Sequence, residues 1–185
     1  MPTDAHPHAI SRGNPWREVI WGAAGALLLL PLAAMQFTRE VNWSLADFVV
    51  FGGMLLAACG SYEAALRLSG STLYRAAVGV AVASAFVLVW INLAVGVIGS
   101  EGNPANLVYA GVLGVGFVGA RVARMRPAGM ATALAATAAA QGLASLVAWA
   151  AGESLAALFS LLFVLPWLGS AWLFRCAAAA QTSAR

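Results

Sequence analysis

Apolar residues fall into six blocks, at about 19–38, 45–66, 76–99, 105–124, 130–151 and 155–175, separated by short stretches rich in Arg, Gly, Pro, Ser and Asn. A helix needs about 20 predominantly apolar residues to cross the hydrocarbon core of a bilayer. The pattern therefore predicts an all-α, polytopic membrane protein with six transmembrane helices. Ser44-Leu45-Ala46-Asp47 reads as a capping box, with the serine as N-cap and the carboxylate three residues on. Asn103 suits an N-cap and Pro104 the first helical position of the fourth helix. Arg126-Pro127-Ala128-Gly129 reads as a breaker between the fourth and fifth. Pro31 and Pro166 fall inside the first and sixth blocks, where each removes a backbone hydrogen bond and permits a kink. The third block stays apolar to Gly99, so that Ser100-Glu101-Gly102 alone turns the chain. On that reading helices 3 and 4 are antiparallel neighbours.

Composition agrees. The chain is 62% hydrophobic and 9% charged, against about 45–50% and about 25% in a soluble domain. So little charge cannot cover a soluble surface. Residues 1–15 are polar and rich in breakers and read as a disordered tail, 16–176 as one six-helix membrane domain, and 177–185 as a short second tail. The basic, then apolar, opening also fits a signal peptide. The length of the run, and Met35-Gln36-Phe37 where small cleavage-site residues would stand, favour a retained helix.

The net charge of +3 does not indicate nucleic-acid binding, because the arginines border the apolar blocks instead of forming one patch. Nine of the ten basic residues fall on one side of the six-helix scheme; only Arg39 falls on the other, beside Glu40. Positive residues collect on the cytoplasmic side of membrane proteins. Both termini are therefore expected on the cytoplasmic side of the membrane. Trp43 and Tyr109 would mark the outer interface, and Trp16, Tyr62, Tyr74 and Trp172 the inner one.

A shift of 59 residues lays Gly52 on Gly111, Gly60 on Gly119, Arg67 on Arg126 and Trp90 on Trp149. This weak repeat would make the fold three helical hairpins packed side by side. Gly114 to Gly119 spells GxGxxG, but in mid-helix, where glycines let helices approach closely, and not between a strand and a helix.

Candidate functional groups are few. Cys59 and Cys176 match no metal spacing, and His6 and His8 stand in the polar tail. Glu63 and Arg67 make an i,i+4 pair. No nucleophile–base pair or metal cluster emerges, so neither an enzyme nor a cofactor is expected. Asn92 and Gln141 differ from the rest, since both lie deep in apolar blocks. The Asn92 face of helix 3 carries Ser84, Leu88, Gly96 and Gly99; the Gln141 face of helix 5 carries Leu134, Thr137, Ala138, Ala144, Ser145 and Ala148. Such faces suit either interhelical hydrogen bonds or a polar path, with Asp47 and Glu101 at its outer mouth.

Trp90 to Asn106, WINLAVGVIGSEGNPAN, resembles a segment of small uncharacterised bacterial multi-pass inner-membrane proteins. The resemblance implies an integral membrane protein and brings no activity. The reading is a non-enzymatic membrane module or accessory subunit. Its partners would be the lipid bilayer and other membrane subunits or a second copy of the chain. The alternative is a small transporter or channel lined by Asn92 and Gln141. Reporter fusions test the topology: those after Arg67, Arg126 and Arg175 should read cytoplasmic, and those near Glu40, Glu101 and Gly152 external. A cytoplasmic signal at Glu101 would sink the six-helix scheme.

Overall fold

The computed structural model describes residues 15–183, with side chains from residue 17. The tail at 1–14, with His6 and His8, lies outside the described residues, as do Ala184 and Arg185. The described residues form helices and contain no strand. The elements are α1 (Pro15–Phe37), α2 (Leu45–Leu68), α3 (Thr72–Ala94), a 3-10 turn (Pro104–Asn106) leading into α4 (Leu107–Val122), α5 (Pro127–Ala150), α6 (Ser154–Leu162) and α7 (Val164–Ser183). Among the described residues six helices are long and apolar enough to cross a membrane, the 3-10 turn counting with α4 and α6 with α7. The chain thus has the fold of an integral, multi-pass membrane protein. Contacts divide it into two units, Met1–Gly53 and Met54–Arg185.

In the first unit α1 runs unbroken through Pro31. Leu27, Leu29, Leu30 and Leu32 are exposed, which suits helix surfaces that meet hydrocarbon. The capping box forms: Asp47 Oδ2 accepts from Ser44 N at 2.7 Å and Ser44 Oγ at 2.8 Å, while Asp47 N donates to Ser44 Oγ at 3.3 Å. The Trp43 ring meets Phe48 and Phe51 edge-on, each at 5.3 Å.

In the second unit α5 is the central helix, packed against α4, α6 and α7; α7 also packs along α3. Alanines and other small residues allow this. Every residue of the expected Gln141 face is buried, because a face of short side chains lets several backbones come close. On α4, Gly116 and Gly119 form the seam with α5. A Cβ at Gly119 would sit 2.7 Å from Ala133 Cβ, and one at Gly116 would sit 3.2 Å from Thr137 Oγ1. Gly111 and Gly114 face open space. The GxGxxG run is therefore a packing seam through its second and third glycines.

Several expected helix ends move. The turn between α4 and α5 is made by Arg124 and Met125, both left-handed (φ 49° and 58°), and the Tyr74 hydroxyl donates to the Met125 carbonyl at 3.0 Å. Pro127 to Gly129 are not the breaker but the first turn of α5, where the missing proline N–H costs nothing. Arg75 closes the preceding connection, donating to the carbonyls of Ser69 at 2.9 Å and Leu66 at 3.3 Å at the end of α2. The sixth span breaks at Phe163 into α6 and α7. Pro166 cannot donate to the Leu162 carbonyl, so it ends the helical ladder there and occupies the first turn of α7. Residues 177–183 continue α7 as helix. Tyr74 and Tyr109 are buried among the helices.

The largest difference is at α3. It ends at Ala94, five residues before the expected Gly99. Gly96 (φ +72°) supplies the left-handed residue that terminates the helix, and Gly99 (φ +68°) turns the chain again. Neither lies on a helix face with Asn92. Val97 and Ile98 are apolar because they are buried under the loop, not because they are helical. Consequently α3 and α4 touch little, and this pair is not a side-by-side hairpin.

The α4–α5 seam makes a direct prediction. Gly119→Ala should lower stability by about 1–3 kcal/mol, the usual penalty for overpacking. Gly114→Ala should not lower it. Equal thermal melting of the two variants would remove the seam.

Candidate functional site

One network of buried polar contacts in the second unit centres on a side chain that sequence reasoning passed over. Asn106 is buried at the start of α4. Its Oδ1 accepts from Val97 N at 3.1 Å and Ile98 N at 2.8 Å. Its Nδ2 donates to the carbonyls of Ser100 at 2.7 Å and Ile98 at 3.2 Å. Four bonds from one amide stand in for the backbone partners that residues 97–100 lost when α3 ended. The Asn103 side chain caps the turn that presents Asn106, accepting from Ala105 N at 3.0 Å. The sequence sign was there: three glycines within Gly96–Gly102, followed by Asn-Pro, is loop chemistry. The apolar Val97-Ile98 between the first two glycines hid it.

Asn92 joins this network. Its Nδ2 donates to the Asn106 backbone carbonyl at 3.2 Å. A carbonyl only accepts, so the amide orientation is determined, and Oδ1 is left buried without a partner. Gln141 behaves alike. From mid-α5 its Nε2 donates to Ser160 Oγ at 2.9 Å and the Ser160 carbonyl at 3.2 Å, in the last turn of α6. Its Oε1 is unpartnered. The Tyr109 hydroxyl faces the Ser160 side chain without the geometry of a hydrogen bond. Ser160, Tyr109 and Asn106 were all absent from the sequence candidates.

The remaining candidates are locally engaged. Ser84 Oγ donates to Val80 O at 2.7 Å and Thr137 Oγ1 to Ala133 O at 2.9 Å, each within its own helix. Asp47 is held in its cap in the first unit. Glu63 and Arg67 make the expected pair, at 2.8 Å. Cys59 and Cys176 are free thiols. Glu101 is exposed in the α3–α4 loop and lines a cleft of about 490 Å3 that also reaches Asn92, Asn103 and Asn106. The structure thus brings Asn92 and Glu101 to one place and keeps Gln141 in another. Among the described residues no three His, Cys, Asp or Glu side chains could hold a metal ion.

Comparison with protein families, with curated proteins and with solved structures found no match.

The hub and the single bond should differ in cost. Asn106→Ala leaves two buried N–H groups unpaired, at about 1–3 kcal/mol each. Asn92→Leu loses one bond inside a membrane protein, about 0.6 kcal/mol and rarely above about 1.7. Chemical unfolding in detergent should therefore rank Asn106→Ala well below Asn92→Leu. The reverse order would show that Asn106 does not organise the loop.

Proposed function

We propose that this chain is a non-enzymatic module of a bacterial inner membrane, acting as an accessory subunit of a larger membrane assembly, with both termini in the cytoplasm. The orientation rests on the arginine asymmetry. The observation that carries the functional reading is Gln141, fully buried in mid-α5, whose Nε2 ties α5 to Ser160 of a neighbouring helix. Ser145 and Ser170 act in the same way, bonding the carbonyls of Ala157 at 2.6 Å and Ala77 at 2.7 Å on other helices. Interior polar groups used as interhelical ties are what a packing module requires.

One observation favours the transporter alternative. The cleft at Asn92 and Glu101 reaches from the loop into the upper part of the helices, as the entrance of a path would. It reaches Asn92 but not Gln141, so it supports a mouth without a channel.

Purification from native membranes under mild detergent tests the module. Another integral membrane protein, in fixed stoichiometry, is the expected companion. A chain that purifies alone and moves a solute into liposomes overturns the proposal. The same variant separates the two readings: Asn92→Leu should retain cellular function in a module, and should fold normally yet match the gene deletion in a transporter.

A further inference from the structure

Because α3 and α4 diverge around the loop, the cleft between them has a defined chemical order. Its rim is formed by Glu101 and Asn103 in the loop; Leu88 and Leu93 of α3 and Ala110 and Leu113 of α4 form its walls. Leu113 stands six residues below the start of α4, roughly 9 Å deeper at about 1.5 Å per residue. Leu93, Leu107 and Ala110 are exposed, so the cleft opens sideways, onto what is hydrocarbon in a bilayer. Polar groups at one end and apolar walls below match the layering of a phospholipid, head at the interface and chain along the helices. The charge at the rim is specific. Glu101 is the one charged residue lining the cleft.

We propose that this cleft is a binding site for a phospholipid whose head group carries an ammonium, its cation beside Glu101 and its chain along Leu93, Ala110 and Leu113. An anionic head group would bring like charge to Glu101 and gains nothing at the rim. The selectivity is that of one exposed ion pair and so is modest, about threefold. The site does not depend on whether the chain is a module or a transporter.

The test uses the full chain in bilayers of equal phosphatidylethanolamine and phosphatidylglycerol, extracted gently and weighed intact by mass spectrometry. The intact protein should retain phosphatidylethanolamine over phosphatidylglycerol by about threefold. Glu101→Gln should bring the ratio to one. Ala110→Trp, at an exposed wall position, should remove the retained lipid while the melting temperature holds. Equal retention by the unaltered chain, an unchanged ratio in Glu101→Gln, or undiminished lipid in a stably folded Ala110→Trp would each overturn the site.

Discussion

Within a bilayer, backbone that leaves the helix must find hydrogen-bond partners inside the protein, since the hydrocarbon offers none. That constraint accounts for where the amides of this chain sit. Asn106 serves the non-helical stretch after α3, bonding the backbone of Val97, Ile98 and Ser100. Asn92 reaches the carbonyl of the 3-10 turn that opens α4. Gln141 reaches the last turn of α6, just before the break at Phe163. All three donate to backbone carbonyls where a helix begins, ends or is interrupted. What they share is that each ties backbone near a gap in the helical ladder to another segment of the chain.

Those gaps in turn shape the packing. Ending α3 at Ala94 allows Val97 and Ile98 to join the buried cluster with Leu88, Tyr109 and Trp167. The loop is thereby part of the core, and it holds α3 and α4 apart at that end. Their lost contact is replaced from elsewhere: α3 packs on α7 and α4 on α5. The Arg-rich end has a cluster of its own, where Tyr74 meets Phe174 edge-on at 5.2 Å and its hydroxyl holds the strained turn at Met125. Two consecutive non-glycine residues in the left-handed region are uncommon and costly. A long-range hydrogen bond at that point helps to keep them there.

The spans were legible because hydropathy over about 20 residues reports on lipid, which acts on every span alike. The caps at Ser44 and Asn103 were legible because capping is local. What hydropathy could not separate is an apolar residue inside a helix from one buried by a loop, hence the misplaced end of α3. The divergence of α3 and α4 followed from that error, since a three-residue turn would have forced them together. The candidate site was half legible. A lone amide in an apolar block announces a buried polar group, as Asn92 and Gln141 did. Asn106 sat three residues after a cap, in a position that reads as ordinary helix start. Its partners are fixed only once the chain has folded back over six to nine residues.

The buried polar residues of the described chain are Ser84, Asn106, Thr137, Gln141, Ser145, Ser160 and Ser170, and none carries a charge. Among the described residues, four buried side-chain polar atoms lack a partner: Asn92 Oδ1, Tyr109 Oη, Gln141 Oε1 and Trp167 Nε1. They offer acceptors at the two amides, a donor at the indole and both at the phenol. Native proteins leave few such groups, and each calls for an explanation. Ionisable side chains deep in a membrane are costly, and where they occur they mark proton relays and ion pathways. This interior holds neutral hydrogen-bonding groups instead, clustered beside a helix start and a helix break. The chemistry those spare donors and acceptors can provide is that of uncharged hydrogen bonding.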